Sequence, residues 1–208
     1  MIEPTQILAY TTALAIAAAI PGPGMTALVA RSVSSGTLTG FAMLTGLILG
    51  DLTYLSLAVF GLALLAKTFS VFFIVVKWGA VIYLCYLAWS FWNADHQSLN
   101  RKTALKPKDL ISAGLSGYTI TLGNPKTIAF YLALLPVIIE LDMITVQNWA
   151  AIFVPLTTIV LLCVGSTFIL GAMSVRHVLS THRAQRVLHR GAATTMVIAA
   201  GTMVAREA

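Results

Sequence analysis

No charged residue occurs between Glu3 and Arg31, nor between Asp142 and Arg176. A helix needs only about 20 apolar residues to cross the hydrocarbon core of a bilayer. Stretches this long without charge therefore constrain the chain more than any motif does. Six apolar segments can be drawn, over 5–30, 38–66, 70–93, 110–139, 148–175 and 190–206. They are long and do not alternate in polarity, which predicts spanning helices rather than barrel strands. Composition agrees: 58% of the 208 residues are hydrophobic and 10% are charged, against about 25% charged in ordinary soluble chains.

The net charge of +6 does not indicate nucleic acid, because the basic residues lie between apolar runs, where topology accounts for them. Arg31, the group Arg101, Lys102, Lys106 and Lys108, and the group Arg176, Arg183, Arg186 and Arg190 follow segments one, three and five. The other side holds only Lys67 and Arg206 as cations, with Glu3, Glu140, Asp142 and Glu207. The positive-inside rule puts the first set in the cytoplasm and both termini outside. Trp78, Trp89, Trp92 and Trp149 lie near segment ends, as interfacial anchors do. Ala17-Ala18-Ala19 looks like a signal-peptide cleavage site, but no basic n-region precedes it, so the first segment reads as a span.

The polar stretch 94–109 divides the chain into halves of three segments, 1–93 and 110–208, within one transmembrane domain. Three is odd, so a second copy of the first half would lie inverted, as in many transporters. The two halves share a feature. Segment one is interrupted by Pro21-Gly22-Pro23-Gly24, and segment four by Gly123-Asn124-Pro125-Lys126. Proline has no N–H, so these breaks are expected to free the carbonyls of Ala17, Ala19 and Thr121. Each also reads as a new helix start, with Asn124 as N-cap and Pro125 at the first helical position. Loose carbonyls suit a cation, and helix N-termini suit an anion. A single proline kink would be read as packing; two at corresponding places point to function.

Two ionisable residues lie deep in apolar runs. Lys126 stands in the first turn of a half-helix, where the macrodipole disfavours a cation. Asp51 is the only acid inside a core segment, after Gly46-Leu-Ile-Leu-Gly50. Intramembrane charges are costly and usually face a cavity or a partner. An aspartate there must be protonated, hydrated, or paired with Lys126 or with a substrate ammonium. The bland reading is an Asp–Lys pair that only orients helices. Taken together, the set suits a zwitterion: half-helix N-termini and Lys126 for a carboxylate, Asp51 and loose carbonyls for an ammonium.

Other features carry less. Lys77 is near enough to a segment end to snorkel. His177, His182 and His189 lack the spacing of a helical metal site. Cys85 and Cys163, each inside an apolar run, make neither a disulfide framework nor a metal signature. No cofactor motif occurs. The G-x-x-x-G runs at Gly36–Gly40 and Gly46–Gly50 suit close packing within one chain or between copies in a homo-oligomer.

These residues resemble a known family. Pro21-Gly22-Pro23-Gly24 with Arg31-Ser32 and Gly36, then Gly46, Gly50 and Asp51, look like the first half of the LysE/RhtB amino-acid exporters. Lys77-Trp78-Gly79 with Tyr83 and Tyr86-Leu87-Ala88-Trp89 resembles their third segment, and Gly123-Asn124-Pro125-Lys126 with Phe130 and Leu135-Pro136 their fourth. The resemblance implies a multi-pass exporter of small amino acids in a bacterial inner membrane, exchanging them for protons. It makes Pro21, Gly22, Pro23, Gly24, Asp51, Asn124, Pro125 and Lys126 the substrate and transport residues, with Asp51 coupling protons. Gly24 departs from the family pattern, where many members have asparagine.

An enzyme would need a motif that is missing here: there is no Gly-x-Ser-x-Gly elbow, no His-Glu-x-x-His pair and no second intramembrane acid. A thiol carrier would need cysteines near the breaks. The alternative from another class is a transporter of metal or inorganic ions, which a single intramembrane carboxylate serves poorly.

Overall fold

A computed structural model describes residues 3–61 and 107–174, with residues 78, 82, 85, 89, 92, 93, 186, 187, 190, 191, 193–195, 197 and 198. Most of segments three and six lies outside the described residues. So do the linker residues 94–106, Lys77, the three loop histidines, and the cations Arg176 and Arg183.

The described chain is helical, with no strand among the described residues. Helix α1, Pro4–Ala19, opens with Pro4 at its first position and a capping box between Glu3 and Gln6. It ends because Pro21 and Pro23 offer no N–H; its last bond runs from the Ile20 N–H to Ile16. Helix α2, Pro23–Ser35, starts on Gly22 as N-cap and meets α1 at a bend of 56°. Gly36, at φ +95°, turns the chain into α3, Thr37–Gly61; a side chain there would be strained. Helix α4 is Pro107–Leu122, α5 is Pro125–Ile138, and α6 is Val146–Ser174. Each of α3, α5 and α6 contains one π-helical turn, at Leu57–Gly61, Phe130–Leu134 and Trp149–Phe153.

Among the described residues two helices are long and apolar enough to cross a membrane, α3 with a mean hydropathy of 1.7 and α6 with 2.3; the bent pair α1 and α2 makes a third if it counts as one span. Helix α6 exposes Ile159, Leu162 and Leu170 and buries Leu161 and Ile169, so it is apolar all round. That pattern marks a helix bathed in lipid. Trp78, Ile82, Cys85, Trp89 and Trp92 are helical and exposed, three and four residues apart. Trp149 differs from the other tryptophans: it is half-buried and packs edge-on against Phe60.

The tightest seam lies between α3 and α4. The Cα of Gly46 faces the Gly114 carbonyl and that of Gly117 faces the Met43 carbonyl, so closely that a Cβ at either would overlap backbone. Gly50 sits against Thr121. The Gly46–Gly50 run therefore packs within the chain. Without a hydrophobic drive between helices in lipid, such backbone approach is what holds them. Gly40 meets Ser32 and Ile169, bringing α2 and α6 onto the same helix.

Candidate functional site

The first break leaves carbonyls that only another element can satisfy. The ammonium of Lys126 does this, donating to the Ala17 and Ile20 carbonyls at 2.8 Å each. The Ala17 partner follows from Pro21, which removes the N–H four residues on. The second partner is Ile20 rather than the expected Ala19, because the chain turns out of helical geometry at Ile20. A Cβ on Gly22 would lie 3.4 Å from the same Nζ, so the lysine tip rests on the glycine of the turn.

The second break is closed differently. Asn124 caps α5 as expected, its Oδ1 accepting from the Lys126 N–H at 3.1 Å. The Thr121 carbonyl, expected to be free, takes the Asn124 N–H at 3.1 Å in a tightened last turn. The Leu122 carbonyl is covered by the Tyr54 hydroxyl of α3. Tyr54 thus has a backbone role that its position in the sequence does not announce.

Between the breaks lies a cavity of about 50 Å³, room for three or four waters by the usual one-probe-sphere measure. Asp51, Lys126, Asn124, Thr121 and Gly24 line it, facing an apolar wall that includes Leu14, Leu47, Ile48, Phe130 and Leu161. Of the residues singled out in the sequence, Gly24, Asp51, Asn124 and Lys126 meet there, and Gly22 touches the lysine. Pro21, Pro23 and Pro125 shape the turns; Pro21 is exposed and Pro23 buried. At Gly24 a Cβ would meet a Leu47 methyl at 3.1 Å.

Asp51 and Lys126 share the cavity and act on each other through space. They do not form the direct pair that the sequence allows: among the described residues Asp51 makes no ion pair, and the lysine is committed to carbonyls. The magnitudes favour this arrangement. A lysine at mid-bilayer costs about 2.5–3.5 kcal/mol. Two hydrogen bonds from a charged donor return about 1.5–3 kcal/mol each, while an unsatisfied carbonyl in hydrocarbon costs several.

Behind the cavity lies an aromatic group. Tyr131 is fully buried, and its hydroxyl lies beside Asp51 and Tyr10, close enough to interact with both though not in full hydrogen-bond geometry with either. Tyr10, also fully buried, bonds the Thr157 hydroxyl at 2.6 Å and ties α1 to α6. Its ring stacks edge-on with Phe153. Two apolar helices carrying Tyr10 and Thr157 at unrelated positions give no signal that the two residues meet. No group of three metal-ligating side chains occurs among the described residues.

Residues 15–206 match the family model of the LysE type translocator, a stretch that contains both breaks and Asp51. The chain belongs to that family. An uncharacterized membrane protein of Synechocystis is 31% identical over 150 residues, 71% of each chain. Leucine efflux proteins of Salmonella choleraesuis and Salmonella paratyphi A are each 29% identical over 166 residues, covering 79% of this translocator and 77% of their own length. No solved structure matches.

Proposed function

We propose that this translocator exports a small neutral amino acid across a bacterial inner membrane in exchange for protons. The observation that carries the reading is the cavity itself: one carboxylate, Asp51, without an ion pair among the described residues, lines it between apolar walls at the meeting point of two broken helices. In this reading Asp51 receives the substrate ammonium, and later a proton. The first turns of α2 and α5, beginning at Pro23 and Pro125, receive the substrate carboxylate, as helix N-termini favour anions. Leu14, Leu47, Ile48 and Leu161 take an aliphatic side chain, which fits relatives named for leucine efflux.

The same reading includes a six-helix plan of two inverted three-helix halves, 1–93 and 110–208 around the linker 94–109, with both termini outside. The paired breaks support it. A single transmembrane domain in lipid, without cofactor, suffices for the work.

The test is efflux from liposomes. Purified protein is reconstituted, loaded with a panel of radiolabelled amino acids, and compared with Asp51→Asn. Efflux of one or a few amino acids, sharply reduced in the variant, supports the proposal. Failure of a folded protein to move any amino acid overturns it.

A further inference from the structure

The contact between the two breaks has the composition of a ligand site. Two carbonyls at the end of α1, on Ala17 and Ile20, converge on one primary ammonium at 2.8 Å. Both belong to the negative end of a helix dipole, where a cation is favoured. The floor of the site is Gly22, which has no side chain to displace the ammonium. The occupant comes from the other half of the chain, more than a hundred residues away, and stands in the first turn of α5, where helix electrostatics alone would reject it. A lysine that served only its own helix would have no reason to be there.

We infer that the break in the first helix is a binding site for a primary ammonium, that Lys126 fills it as a tethered ligand, and that this occupancy holds the two breaks in register. The inference rests on the transport reading only for its functional readout. It assigns Lys126 a positioning role and leaves Asp51 as the charge open to substrate. It also means that α5 cannot shift relative to the first break without releasing both bonds. Any rearrangement of one half against the other must therefore either carry the two breaks as one body or undo this contact.

Lys126→Ala deletes three carbons and the ammonium, the atoms of n-propylammonium. That variant, reconstituted and in detergent, is measured with n-propylammonium chloride, with 1-propanol, and with tetramethylammonium, which has charge but no N–H. The expected result is an efflux rate at least about tenfold below the parent, consistent with losing two charged hydrogen bonds. Addition of n-propylammonium restores efflux and raises the thermal midpoint of the variant but not of the parent; neither control does so. A second variant, Lys126→Met, keeps the apolar stem and preserves packing; it is expected to fold and to lose efflux without rescue, since its side chain fills the space.

Parent-like efflux by Lys126→Met overturns the inference. So does a folded Lys126→Ala that n-propylammonium neither stabilises nor reactivates while the parent transports. If the parent moves no amino acid yet n-propylammonium still stabilises Lys126→Ala, the ammonium site stands and the transport reading falls.

Discussion

Gly46 of α3 lies directly beneath the carbonyl of Gly114 on α4, with no room for a side chain between them. A methyl group at that point would overlap backbone, which cannot rotate away as a side chain can. Gly46→Ala is therefore expected to separate α3 from α4 and destabilise the fold by about 1–3 kcal/mol or more, the cost of overpacking. Gly171 is the contrast. It lies on an exposed face of α6 with open space around it, so Gly171→Ala should be neutral or stabilise by up to about 1 kcal/mol through helix propensity. Thermal unfolding in detergent separates the two; equal midpoints would show that the α3–α4 seam is not where the fold is held.

Tyr54 gives a second contrast. Its hydroxyl covers the Leu122 carbonyl, which the second break leaves without a helical partner. Tyr54→Phe should cost about 1–3 kcal/mol, because a buried carbonyl is left unpaired. Among the described residues Tyr118 reaches Thr53, at a long 3.4 Å, and Tyr118→Phe should cost much less. The check is a pair of melting curves, with the larger fall in Tyr54→Phe.

How much of this was legible in the sequence depends on the range of the physics involved. Charge-free runs placed the starts of α1, α3 and α6 to within about two residues, since lipid imposes its requirement on every turn of a span. The breaks were equally legible, because proline acts on its own carbonyl four residues back. Asn124 as a cap is local chemistry of the same kind. What closes the first break, and part of what closes the second, is not local. Lys126 was expected to face a carboxylate, yet its ammonium lies on Ala17 and Ile20. Tyr54 covering Leu122, and Tyr10 meeting Thr157, depend on how helices dock. No periodicity in an almost uniformly apolar chain records that docking.

Tyr131 yields the third prediction. Its hydroxyl is buried beside Asp51 and Tyr10 without full hydrogen-bond geometry to either, so those contacts offset only part of its desolvation cost. Tyr131→Phe should leave stability unchanged or raise it by up to about 1 kcal/mol, because the change sheds a desolvation cost that marginal contacts offset only in part. A clear loss of stability on melting would show that the hydroxyl is satisfied in the resting protein.

The last prediction concerns the driving force, and its sign follows from exchange. If protons enter as substrate leaves, efflux from loaded liposomes quickens when the outside is made more acidic than the lumen, and slows when the gradient is reversed. Asp51 is the carboxylate in the cavity, so the response should depend on it. Asp51→Asn keeps the shape and one acceptor oxygen but can neither take up a proton nor attract an ammonium by charge. Its efflux should fall by about ten- to a hundredfold, the worth of a hydrogen bond to a charged group, and what remains should ignore the gradient. Asp51→Glu restores a carboxylate in a cavity of about 50 Å³ and should recover the gradient response even where crowding keeps the rate low. A parent protein whose efflux is the same under both gradients would remove proton exchange from the mechanism. An Asp51→Asn variant that still follows the gradient would move the coupling site to another residue.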